Sequence, residues 1–232
     1  MKKNLFTLLM CFLGLAAYSQ CNNYYNIKEG VVFEIENYNA KDKKEGRVLN
    51  KVSYYRQTGD NFEATIHTTV FDKKDKELHQ GEYKMVCNDG VLLIDMSKFI
   101  PEEMLKAFEG GEIEVIGDQL EIPSSLSVGQ KLNDGNLMVK MATGPGMSMS
   151  MNISIDDRKV EGKETIETPA GTFECYKISY NINSKTNMLG MNINNAMRSV
   201  DWISLGKGVV KSSVYNNKGS LVGYSLLTKF EE

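Results

Sequence analysis

The sequence predicts an all-β protein: an antiparallel curved sheet, or open β-barrel-like meander, with one short helix. Three observations predict it. Apolar residues recur at alternate positions along most of the chain. Short turn signals, "QTGD", "CNDG", "TGPG", "TPAG", "LGKG" and "NNKG", separate the alternating runs. Helical periodicity is confined to one stretch, "SKFIPEEMLKAFEGG".

The first element is a leader. Lys2 and Lys3 precede an apolar run from Leu5 to Ala17, too short to span a bilayer as a helix. Ala17 and Ser19 are the small residues of a cleavage site, so residues 1–19 read as a signal peptide and 20–232 as a single β-rich domain. Gln20 is too bulky for the position before a lipidated cysteine, which argues against Cys21 as a lipid anchor. The expected location is periplasmic or secreted.

Without Lys2 and Lys3, 25 of the 27 basic residues remain against 30 acidic ones, a net charge near −5. That balance argues against a nucleic-acid partner. No segment of the mature chain is long and apolar enough for a transmembrane helix. Cys11 leaves with the leader, and Cys21, Cys87 and Cys175 remain. An odd number in an oxidising compartment implies one disulfide and one leftover thiol. Cys21–Cys87 is the expected pair: Cys21 sits at a chain start that can reach a partner, Cys87 precedes a turn, and Cys175 lies inside a strand.

The strands follow in order. "VVFEIEN", "FEATIHTTV" and "ECYKISYNI" each carry an apolar set on one parity, as half-buried antiparallel strands do. About a dozen such runs are expected. Three hairpin tips resemble one another: "NYNAKDKKEGRV", "VFDKKDKELH" and "VYNNKGSLVG". Shared turn chemistry explains them; an old duplication is the alternative. In the helical stretch Pro101 suits the first helical position, Glu102 and Glu103 favour the helix start, and Gly110 suits the stop. Tyr24 and Tyr25 are expected to pin the first strand, and Trp202 to pack in the core.

Catalytic and metal signatures are missing. His67 lies on the polar face of its strand and His79 in a charged hairpin, without a nucleophile or orienting partner nearby in sequence. No GxSxG, HExxH or calcium-loop pattern occurs. Asp156 and Asp157 adjoin, but neighbouring strand residues point to opposite faces, so a hairpin bend is the simpler reading of "ISIDDRKV". The expectation is a non-enzyme with no cofactor, a binding protein or, alternatively, a purely structural component of the envelope.

One feature does suggest a site. Eight of the thirteen methionines lie between Met138 and Met197. In "MSMSMNISI" Met147, Met149 and Met151 alternate with small polar residues, placing their thioethers on one face about 7 Å apart. Met141 and Met191 can join them from neighbouring strands. Three readings stay open: core filling; an apolar face holding an apolar ligand or an envelope protein partner; and a Cu(I) site on Met147, Met149 and Met151, since thioethers suit a soft ion.

Four segments carry a resemblance: "CNNYYNIKEGVVFE", "LEIPSSLSVGQKL", "DRKVEGKETIETPAGTFECYKISY" and "VDWISLGKGVVKSSVYNNKGSLVGYSLL". In order and turn motifs the mature chain resembles the TapB-type secreted family of Bacteroidota, a group similar to the 3108-like domains of unknown function. The resemblance implies a secreted, β-rich single domain and carries over no catalytic residues. At the level of fold alone, the group is similar to the open half-barrels of periplasmic lipoprotein carriers.

Overall fold

Period-two patterning becomes a continuous antiparallel ladder. The structure, a computed structural model, describes residues 26–95, 112–117, 119–142, 148–188 and 190–232. Among these, thirteen strands run in chain order: β1 Val32–Asn39, β2 Lys44–Thr58, β3 Asn61–Asp72, β4 Glu77–Asn88, β5 Val91–Asp95, β6 Glu112–Gly117, β7 Gln119–Pro123, β8 Gly135–Ala142, β9 Ser148–Thr168, β10 Gly171–Met188, β11 Met191–Ser204, β12 Gly208–Asn216 and β13 Leu221–Glu231. They form one sheet in the order β6-β8-β9-β10-β11-β12-β13-β1-β2-β3-β4-β5-β7. The all-β curved meander is therefore as expected, a nearly closed barrel-like sheet with β6 and β7 as its margins. No helix occurs among the described residues, and the expected helix falls outside them, as do Tyr24 and Tyr25.

The turns form as their residues dictate. Asp89 and Gly90 both take positive φ and join Asn88 to Val91, the backbone a two-residue hairpin loop requires. The three similar tips share one geometry. Asn39 Oδ1 accepts the Lys41 and Lys43 amides, Asp72 Oδ1 accepts those of Lys74 and Lys76, and Asn216 Oδ1 accepts those of Lys218 and Ser220. Three residues after each, Asp42, Asp75 and Gly219 adopt the left-handed conformation. Local turn chemistry accounts for the recurrence.

Two apolar clusters fill the concave side. The larger gathers Val52, Phe62, Ala64, Ile66, Met85, Leu92 and Ile122 with Val160, Ile178 and Ile203. The second gathers Leu120 with Leu137, Val139, Met141, Met149, Met151, Ile153 and Ile155. Ile122 and Leu120 come from the margin strand β7, yet the residues they cluster with include Val160 of β9 and Ile178 of β10 for the one, and residues of β8 and β9, near the other margin, for the other. The sheet has thus curled until its ends share a core. A third cluster lies on the opposite face of β10 and β11, where Cys175, Val200 and Trp202 pack with Val210 and Leu227. Because both faces of β11 are covered there, "VDWIS" shows no alternation.

The "ISIDDRKV" segment is not a hairpin bend. Strand β9 runs straight through it and accommodates one extra residue: Asp157 and Arg158 together oppose Tyr180 of β10. Asp157 takes φ 54° to do so. Inward positions before the bulge are Met149, Met151, Ile153 and Ile155; after it they are Arg158 and Val160. The bulge also sends both aspartates the same way, contrary to the expectation of opposite faces. Asn183 Nδ2 donates to Asp156 and Asn181 Nδ2 to Asp157, each over 2.9 Å.

Candidate functional site

Reversing the parity of β9 places a guanidinium inside the sheet. Arg158 is 4% exposed. Its Nη1 donates to the Asn133 carbonyl at 2.5 Å and its Nη2 to the Glu121 carbonyl of β7 at 2.9 Å. The backbone of the same stretch ties down the loop between β7 and β8: the Leu132 amide donates to the Arg158 carbonyl, and the Val160 amide to that of Gln130. Arg158 therefore fastens β9 to the far margin strand and closes the seam of the barrel.

Next to it stand Tyr180 and Asp201. Asp201 follows from the ladder, since it pairs with Ile178 on one side and Ser212 on the other, facing inward with Ile203. Tyr180 donates its hydroxyl to Asp201 Oδ2 at 2.8 Å. Asp201 Oδ1 is buried and has no hydrogen-bond partner among the described residues. Burial raises the Asp201 carboxyl above its ordinary range, opposed by Ser212, Tyr180 and Arg158. Burial likewise raises Tyr180 well above its ordinary value, and lowers Arg158 against the pull of Tyr180 and nearby acids. These polar groups line a cavity of about 230 Å³ where the two concave-side clusters meet, its other walls being Ile94, Leu120, Ile122, Ile178, Ile203 and Val209.

A wider groove of about 680 Å³ opens on the opposite face, beside Trp202 and Arg198. Three of its four asparagines are already engaged: Asn181 and Asn183 with the two aspartates of the bulge, Asn216 with its own hairpin tip. The Trp202 indole donates to Glu164 Oε2 at 2.8 Å, and the Lys177 and Lys211 ammonium groups sit over its ring. Both Lys177 and the indole hold Glu164 below its ordinary range. Trp202 packs as expected from sequence.

The DUF3108-like family model matches residues 28–227, nearly the whole β-sheet. The chain belongs to the DUF3108-like family. Two solved structures are similar in fold. One is a Bacteroides fragilis protein described as exported and having a YmcC-like fold, 24% identical over 90% of this chain and 99% of its own, with a TM-score of 0.71. The other, a protein of Parabacteroides distasonis described as a lipoprotein, is 19% identical over 91% of this chain and 100% of its own, with a TM-score of 0.72. No curated protein shows significant similarity to the chain.

In this DUF3108-like chain the methionines expected to form a site are placed as follows. Met141 pairs with Met149, Met149 with Met188, and Met188 with Met191, a row across β8, β9, β10 and β11 on one face. Sequence reasoning placed Met141, Met149 and Met191 in one set and missed Met188, the member that links them. Met141, Met149 and Met151 are 1%, 5% and 4% exposed within the second cluster, whereas Met191 is 57% exposed. Met147 lies outside the described residues. Met141 and Met149 also border a space of about 360 Å³ with Glu112, Glu114 and Lys140 at its rim. No group of three His, Cys, Asp or Glu able to hold a metal occurs among the described residues. The Cys21–Cys87 pair cannot be placed in full, because Cys21 lies outside the described residues; Cys175 is a buried free thiol, and burial pushes it up to about 11. His67 stands near Glu82 on the surface, 3.8 Å away, with no catalytic set around it among the described residues.

Proposed function

We propose that the protein is an exported, non-enzymatic binding protein of the cell envelope that holds an apolar ligand on the concave, methionine-bearing face of its sheet. The observation that carries this reading is the cross-strand methionine row. It grades from the enclosed Met141 to the exposed Met191, and its neighbours in the sheet, Ile113 on β6 and Ile193 on β11, are also exposed. An apolar row that runs continuously from core to surface offers adaptable thioethers to a greasy ligand. Met151 adds a further thioether within the same cluster. The leader sequence and the exported or lipoprotein character of the two similar structures support an envelope location. So does the narrower resemblance to TapB-type secreted proteins. A disulfide suits that compartment: Cys87 is disulfide-bonded where Cys175 is free, which supports the Cys21–Cys87 pairing.

The register favours a second reading. Three thioethers, Met141, Met149 and Met188, are direct cross-strand neighbours, close enough to share a soft ion such as Cu(I). Native mass spectrometry of the mature protein, extracted gently from its own envelope, tests both. A bound organic mass lost on M149S/M151S supports the first reading, and a copper increment retained under reducing conditions supports the second. A clean apo mass refutes both.

A further inference from the structure

We propose that the cavity at the junction of the two concave-side clusters is a recognition site for the hydroxyl end of a neutral aliphatic molecule. Its walls are aliphatic except at one end, where Asp201, Tyr180, Arg158 and Ser212 converge. That end is incomplete. Asp201 Oδ2 is satisfied by the Tyr180 hydroxyl, but the buried Oδ1 has no partner among the described residues. An acceptor left unpaired in an apolar interior is costly, and a donor brought by a ligand removes the cost. Charge selects which donor. An ammonium would be drawn to Asp201 but would lie beside the buried Arg158 guanidinium. A carboxylate would suit Arg158 but would lie against Asp201. Arg158 cannot turn away, because both terminal nitrogens hold backbone carbonyls. A hydroxyl donates to Oδ1 without adding net charge, and its oxygen remains an acceptor for the donors around it. The volume, about 230 Å³, equals that of roughly eight waters at about 30 Å³ each, which suits a short aliphatic chain.

The inference rests on the concave side being a binding surface, and it adds a second, polar determinant away from the methionines. The probes are 1-hexanol and its isomer 1-methoxypentane, which has the same heavy atoms but no donor, together with hexanoate and hexylammonium. Binding to the mature protein is followed by calorimetry at pH 8. The expected result is hexanol bound at least about tenfold more tightly than the ether, as a hydrogen bond to a buried and otherwise unpaired acceptor warrants, with both ions weaker than hexanol. Asp201→Leu should abolish the alcohol preference while still admitting the ether. Tyr180→Phe, which leaves Asp201 in place, should keep the preference and serves if the leucine variant fails to fold. Equal affinity for alcohol and ether overturns the hydroxyl reading but leaves an apolar cavity intact. Binding of none of the four probes overturns the cavity as a site, whatever the methionine row does. A crystal structure with hexanol should show its oxygen on Asp201 Oδ1; an ordered water there that hexanol does not displace also overturns the proposal.

Discussion

Replacing Arg158 by methionine should open the seam of the barrel. The guanidinium makes two hydrogen bonds, to Asn133 O on the closing loop and Glu121 O on β7, and no other described side chain joins β9 to those two points at once. A hydrogen bond from a charged donor contributes about 1.5–3 kcal/mol, so two contribute about 3–6 kcal/mol. Methionine preserves the aliphatic bulk and lifts the desolvation penalty that lowers the arginine, which offsets part of the loss. The net destabilisation works out at about 3 kcal/mol. For a domain of this size that is a drop in Tm of roughly 6–12 °C. Urea unfolding followed by far-UV circular dichroism measures it, with the slope checked for constancy. The same variant strips Asp201 of the cation beside it. Asp201→Asn in the R158M background should therefore recover about 1 kcal/mol relative to additivity. A loss below about 0.5 kcal/mol for R158M, or strict additivity with D201N, would refute the idea that one buried arginine fastens the margins and balances the carboxylate.

Four other outcomes are expected. Met141→Ala should cost about 2–5 kcal/mol by cavity formation, whereas Met191→Ala should stay within about 0.5 kcal/mol, read from urea midpoints; this follows from their opposite exposures. Because burial raises Asp201, the native state retains a proton that the unfolded chain releases. Stability should fall as pH rises from the ordinary carboxylate value to the raised native one, and D201N should remove that fall in stepped-pH unfolding. Glu164 behaves oppositely: its pKa is lowered, so its contribution is present above the unfolded value and lost as pH falls through the native one. E164Q should flatten that acid limb in the fluorescence of the single tryptophan, Trp202. Peptide mapping without reductant should return a linked Cys21–Cys87 pair, with Cys175 labelled only after unfolding.

Much of the sheet was legible because one face of most strands meets water. In β8 and the first half of β9, alternation fixes which residues face inward, and it placed Met141 on the same face as Met149, though only the structure gives their pairing. The three tips were legible for a similar reason: an Asx side chain can satisfy its own turn. The polar end of the cavity was not read. Period-two reasoning, carried from Ile153 and Ile155 onward, puts Arg158 outside. Yet the sequence holds the correction. Inward apolar residues sit at odd positions through Ile155 and at an even one by Val160, so one residue has been inserted between them, and a bulge follows. Asp201 had a fainter mark, a carboxylate within "SVDWISL", where both faces are apolar. Alternation cannot assign a side in such a run, and only the pairing with Ser212 and the approach of Tyr180 do.

The two unread residues share one cause, and that cause bears on function. A β9 of this sequence without the bulge would turn Asp157 inward in place of Arg158, and Asp201 would face a second carboxylate with no guanidinium near it. Such a carboxylate would be expelled or permanently neutral. The inserted residue at Asp157 brings Arg158 inward opposite Tyr180, and the same arginine holds the far margin of the sheet. Closing the barrel and equipping its interior with a polar anchor are therefore a single structural event. Deleting Asp157 puts this to the test. If Arg158 serves both ends by facing inward, the deletion should restore regular alternation, leave Arg158 opposite Tyr180, two residues after Ile155, and preserve both the seam and hexanol's advantage over its ether. Loss of stability with the alcohol preference intact would separate the two roles and assign the bulge to folding alone.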